Sequence, residues 1–159
     1  MTSFYRRMKA LTTFKLNSIL KKNPVTKKNF IGTFPGCVLP SKNTKQYSFI
    51  TNTDLHHQSG EHWNAWVVDE NNIIFFDSFG RDPRDTSFPN NYKNIVENFN
   101  NFEYSTVQIQ DFASVTCGYF CIHFIYVLSL GLDLNFFLNE YSNDFMKNDT
   151  IVIDFVNML

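Results

Sequence analysis

The chain has 159 residues, 43% of them hydrophobic and 18 of them Phe, and a net charge of −1. That length and apolar content fit one domain with its own core and exclude a disordered chain. The longest apolar run, Tyr119 to Leu132, contains His123 and is too short to cross a bilayer, and the charged N-terminus is unlike a signal peptide.

Residues 1–45 hold ten Lys or Arg and no acid; the remainder holds four bases and all fifteen acids. Such segregation predicts that the N-terminal region faces something negative, either nucleic acid or the acidic rest of this chain. Three cysteines, without paired spacing for zinc or a secretory signal, point to reduced thiols in a cytosolic or nuclear setting.

In chain order, residues 3–22 place Phe4, Met8, Leu11, Leu16, Ile19 and Leu20 near helical spacing among Arg and Lys. The pattern predicts an amphipathic helix ending before Pro24, or two shorter helices broken around Thr12 and Thr13. Residues 23–45 read as a connection, with a short extended piece at Phe30–Phe34 and turns at Pro35-Gly36 and Pro40–Asn43. Strands are expected at Gln46–Thr51, Trp63–Asp69 and Ile73–Asp77, the last two joined as a hairpin through Glu70-Asn71-Asn72. The polar stretch 52–60 reads as a loop, as does Arg81–Pro89. Tyr92 to Phe102 has helical spacing, and Tyr104 to Ile109 alternates as a strand.

The run from Thr116 to Leu128 is apolar on every side, so it predicts a buried helix that stops at Gly131. Ser114 or Thr116 is its expected cap. Two further helices follow, one over Leu134–Tyr141 and a last one beginning at Asp144 or Asp149.

Cys117 stands at the N-terminus of the buried helix, where unpaired N–H groups favour the thiolate. A nucleophilic thiol needs a base, an orienting group and oxyanion donors. His62, at the start of a strand after a loop, is the candidate base. His56 and His57 lie within the loop, and His123 points to another helical face. The hairpin places Asp77 close to opposite His62 or Trp63, within side-chain reach. Each has a plainer reading: a packed His-Trp surface pair for His62, and a turn-initiating Asp for Asp77. The Cys117 N–H supplies one oxyanion donor, and Gln108 or Gln110, both on one strand face, supplies the other. Cys121, one helical turn on, reads as a small buried apolar residue, and Cys37 as a turn residue without chemistry.

Four motifs in this order resemble the adenain-like (adenovirus-type) cysteine endopeptidases, whose clan includes the SUMO and ubiquitin-like-protein proteases. They are His62-Trp63, Asp77 before Ser78-Phe79-Gly80, Gln110 seven positions before the cysteine, and Cys117-Gly118-Tyr119-Phe120. Phe30–Gly36 agrees too, so the resemblance runs from about residue 30 to 130. It implies an α+β fold with a central mixed β-sheet, a buried nucleophile-bearing helix and flanking helices. It implies a single cysteine protease domain: a basic N-terminal helix and linker (1–29), a catalytic core (30–132) and C-terminal helices (133–159). His62 would be general base, Asp77 its orienter, Gln110 an oxyanion donor and Cys117 the nucleophile, with Trp63 at the substrate.

The substrates implied are viral capsid or core precursors, cut at Gly-containing sites during virion maturation by a monomer in the virion and the host nucleus or cytoplasm. The chemistry needs no cofactor or metal. Adenoviral relatives are activated by DNA and by a disulfide-linked viral peptide. No cysteine lies between Cys37 and Cys117 to take such a peptide. DNA remains as an activator, through Arg6, Arg7, Lys9, Lys21, Lys22, Lys27 and Lys28. The acid is Asp77 where adenoviral enzymes have Glu; Asp is the choice of the SUMO-protease branch. Two other readings are an isopeptidase for ubiquitin-like modifiers and an inactive DNA-binding structural protein, against which a complete set of catalytic residue types argues.

Overall fold

The computed structural model describes residues 8–38, 40, 44–53 and 62–159. Arg6, Arg7, His56 and His57 lie outside the described residues. The fold is α+β. Its elements are α1 (Thr13–Lys22), β1 (Phe30–Pro35), β2 (Gln46–Asn52), β3 (Trp63–Asp69), β4 (Asn72–Phe76), α2 (Asn90–Glu97), β5 (Asn101–Tyr104), α3 (Cys117–Ser129), α4 (Leu134–Asn139) and α5 (Phe145–Met158).

The five strands form one mixed sheet in the order β1-β2-β3-β4-β5. The inner pairs β2–β3 and β3–β4 are antiparallel, while β1 and β5 join the edges in parallel. Strand alternation sorts the apolar residues into two cores. Ile50, Ala65 and Phe76 face a core shared with α1, α3, α4 and α5. Phe49, Trp66, Val68, Ile73 and Phe75 face a second core closed by Phe88 and α2 residues Tyr92, Ile95 and Val96. A sheet covered on both faces explains why β3 and β4 read as nearly continuous apolar runs.

α3 matches its expectation: Phe120, Cys121, Ile122, Phe124 and Ile125 are wholly buried. Gly131, at φ +84°, follows its last turn in the left-handed conformation that a helix stop favours in glycine. Its start differs from expectation. Thr116 occupies the N-cap position without bonding a helix N–H; its side chain is turned to α5, where its hydroxyl donates to Asp149 Oδ1 at 2.7 Å. Ser114 hydroxyl likewise pairs with Thr116 and with the Asp111 carbonyl.

Three other expectations need correction. The first described helix is shorter than a continuous 3–22 helix and begins at Thr13, at the alternative break around Thr12 and Thr13, where Thr12 caps it by accepting from the Lys15 N–H. The helix expected over 92–102 ends at Glu97, and the strand expected over 104–109 is instead Asn101–Tyr104. Beyond β5 the chain leaves the sheet, since Ile109 and Gln110 direct their N–H groups to the Ser78 carbonyl. α5 starts after Asp144, which caps it by accepting from Lys147 N–H; Asp149 lies inside the helix.

Candidate active site

His62 immediately precedes β3 and Asp77 immediately follows β4, so the antiparallel pairing brings both to one end of the sheet. Ala65 pairs with Phe76, which puts Asn64 opposite Asp77 and His62 one diagonal step away on the same face. The hairpin therefore delivers the expected neighbours, with Asn64 opposite Asp77 where His62 or Trp63 is expected, an offset of two residues or one. His62 Nε2 and Asp77 Oδ1 are 2.6 Å apart. Nδ1 is then the ring nitrogen left to face Cys117, the first residue of α3, which lies near enough to help raise the His62 pKa. His62, Asp77 and Cys117 thus converge, each buried.

Asp77 is wholly buried yet accepts five hydrogen bonds. Oδ1 takes His62, Asn64 Nδ2 at 3.0 Å and Arg81 Nη2 at 3.3 Å. Oδ2 takes the Arg81 backbone N–H at 3.1 Å and Nε at 2.9 Å. Burial opposes its charge, but the His62 and Arg81 hydrogen bonds and positive charges outweigh it and hold the carboxyl below the ordinary range.

Behind Asn64 runs a buried chain with one polarity: Trp66 Nε1–H donates to Thr51, Thr51 to Tyr92, and Tyr92 to Asn64 Oδ1. Asn64 then turns its amide N–H to Asp77. The polar residues Asn64, Arg81 and Tyr92 were not singled out from sequence; their partners lie on other elements, so no local pattern marks them.

Burial lowers the His62 pKa, but the hydrogen bonds and charges of Asp77 and Cys117 more than reverse that and raise it from 6.5 to about 9. The imidazolium is favoured through the neutral range. A proton held more tightly in the folded state contributes stability below pH 6.5, and that contribution is lost as pH rises through about 9. The Tm advantage of wild type over His62→Gln is therefore expected to shrink between pH 6.5 and 9; a constant difference would contradict this. One face of the ring stacks on Phe79, with centroids 5.0 Å apart, and Phe79 stacks in turn on the exposed Phe112.

Gln110 is buried, with Oε1 2.6 Å from Ser78 Oγ and Nε2 3.2 Å from the Ser114 carbonyl. Gln108, the other candidate, spends its amide on the Gln110 carbonyl. Trp63 donates its indole N–H to the Leu11 carbonyl at 3.0 Å and packs beside Gly118. A Cβ at Gly118 would meet Leu11 at 3.1 Å and Trp63 at 3.2 Å, so glycine lets the start of α3 seat closely there. Trp63 thereby ties the segment before α1 to the nucleophile's helix.

Cys121 is wholly buried, and burial pushes its thiol well up. His123 lies apart, paired with Tyr141 and packed on Phe155, and burial lowers its pKa to about 4. Cys37 is exposed. Lys9, Lys21, Lys22, Lys27 and Lys28 are exposed along the N-terminal segment and the turns after α1. Among the described residues no helix is long and apolar enough to cross a membrane, and no His, Cys, Asp or Glu cluster is arranged for a metal.

The same fold occurs in the ASFV pS273R protease. Its crystal structure superposes with a TM-score of 0.63 at 15% identity, over 90% of this chain and 66% of that one. The selenomethionine form of that protease gives 0.58 over the same shares. At this identity the likeness is one of fold, and the chain spans about two thirds of its neighbour's length. No protein-family model and no curated protein matches the sequence.

Proposed function

We propose that this chain is an adenain-like cysteine endopeptidase whose nucleophile is Cys117. The observation that carries the reading is the buried His62–Asp77 pair, 2.6 Å apart, beside a thiol at a helix N-terminus. A protease neighbour with the same fold adds support. Transfer of the Cys117 proton to His62 gives the imidazolium, and the sulfur attacks the carbonyl carbon of the scissile peptide. The tetrahedral oxyanion is met by the Cys117 N–H and the Gln110 amide. His62 returns its proton to the leaving amine, and water, deprotonated by His62, releases the acyl group from sulfur. Asp77 holds the imidazole in place and offsets its charge.

The substrates proposed are viral capsid or core precursors with glycine near the scissile bond, cut in the virion or the infected cell by a monomer. No cofactor takes part in these steps. Viral DNA would bind the basic N-terminal region as an activator. The test is incubation with such a precursor, with and without DNA, beside a ubiquitin-like modifier carrying a C-terminal extension. Cleavage of the precursor by wild type and not by Cys117→Ala is expected, faster with DNA. Cleavage of the modifier alone would make the chain a deconjugase instead.

A further inference from the structure

Ser78 joins the two halves of the proposed site. It follows Asp77 directly, is wholly buried, and lies in a turn closed by the Gly80 N–H on the Asp77 carbonyl at 2.9 Å. Its own carbonyl accepts the backbone N–H groups of Ile109 at 2.9 Å and Gln110 at 3.3 Å. Gly80 seals the junction: at φ +71°, a Cβ there would fall 2.7 Å from the Val107 backbone.

The hydroxyl of Ser78 lies 2.6 Å from the Gln110 side-chain amide, and the polarity of that contact follows from the amide's other end. The second Gln110 terminal atom is 3.2 Å from the Ser114 carbonyl, which only accepts. That atom is therefore the nitrogen, the oxygen faces Ser78, and the Ser78 hydroxyl donates. One hydrogen of Nε2 goes to Ser114, leaving the other uncommitted. Flipping the amide would set oxygen against the Ser114 carbonyl and turn the uncommitted N–H to the Ser78 side.

We propose that Ser78 is a positioning residue for the oxyanion site: its hydroxyl anchors the oxygen end of the Gln110 amide, while the Ser114 carbonyl selects the orientation that presents an N–H. This rests on the proposed peptidase reading. With Asp77 beside it, one dipeptide then orients both the base and the oxyanion donor, so strand β4 sets the register of the whole catalytic group. Exchange of Ser78 for alanine removes the donor that anchors the oxygen end of the amide.

The test compares wild type, Ser78→Ala, Gln110→Ala and the double variant on a cleaved peptide. Ser78→Ala is expected to lower kcat up to about 100-fold with KM unchanged, as misplacement of a catalytic group does. It should add nothing in the Gln110→Ala background. Side-chain amide NMR supplies a readout independent of turnover: the Gln110 signals should shift and exchange faster in Ser78→Ala. Ser78→Cys, which keeps a weaker donor, should fall between and covers the case in which alanine prevents folding. A wild-type kcat in folded Ser78→Ala, a further loss in the double variant, or unchanged Gln110 amide signals would overturn the proposal. If wild type itself cleaves no peptide, the peptidase reading fails, while the amide signals still decide whether Ser78 sets Gln110.

Discussion

Cys117→Ala is expected to remove peptide cleavage, with a loss on the order of 10⁶-fold in kcat. The size follows from the loss of the covalent route: with no sulfur to attack, neither acylation nor deacylation can run, and only binding and oxyanion contacts remain. The other thiols do not substitute. Cys121 lies one turn deeper, wholly buried, with its thiol pushed well up, and Cys37 is an exposed residue of the turn after β1. Iodoacetamide labelling near neutral pH, read by peptide mass, should find Cys117 the most reactive of the three, because it stands beside His62 at the start of α3. Faster labelling of Cys37 would count against the pairing. The folded state should tolerate the change, since removing one small sulfur at the tip of α3 leaves the helix body seated between the sheet and α5.

Asp77→Asn should be nearly as damaging by a different route. The five donors around Asp77 all point inward, and a carboxylate satisfies them with two accepting oxygens. An asparagine has one. Whichever way its amide turns, an NH₂ faces either the Arg81 N–H groups or the His62–Asn64 side. One choice frees His62 to rotate, and the other breaks the Arg81 clasp. By either route kcat should fall on the order of 10³- to 10⁴-fold, the scale seen when a triad acid becomes its amide. Stability should drop by about 2 kcal/mol, discounted because the Arg81 partner is partly exposed. The His62 titration should also move down from about 9, since the Asp77 bond leads the effects that raise it. Retention of wild-type kcat with an unchanged His62 titration would remove Asp77 from the mechanism.

Much of this arrangement was legible in local patterns. A thirteen-residue apolar helix ending at glycine has few alternatives, and α3 is Cys117–Ser129 with Gly131 just beyond. The β3–β4 hairpin follows from two apolar runs and a turn, and it alone suffices to bring His62 near Asp77. What remained hidden depended on long-range partners. Tyr104 to Ile109 alternates as a strand should, yet its last N–H groups go to one carbonyl, that of Ser78, and not to a ladder. The Asn-rich stretch around β5 has poor strand composition and pairs only because β4 offers an edge. Thr116 reads as a cap, but its side chain is turned to the buried Asp149 of α5. Asn64, Ser78 and Arg81 are common turn and surface residue types, and only the fold shows that they converge on Asp77 and Gln110.

The basic N-terminal segment divides its side chains between core and solvent. Leu11, Leu16 and Leu20 are buried in the core, while Lys9, Lys21, Lys22, Lys27 and Lys28 are exposed. Trp63 bonds the Leu11 carbonyl and contacts Gly118, so anything that displaces this segment acts one residue away from Cys117.

The central claim is that Cys117 and His62 hydrolyse peptide bonds. The most direct measurement is incubation of the purified chain with a proteome-derived peptide library, reading new N-termini by mass spectrometry. Wild type should generate new N-termini clustered at Gly-containing sequences, and Cys117→Ala and His62→Ala should generate none. The same new N-termini from all three proteins, or none from wild type, would contradict the account.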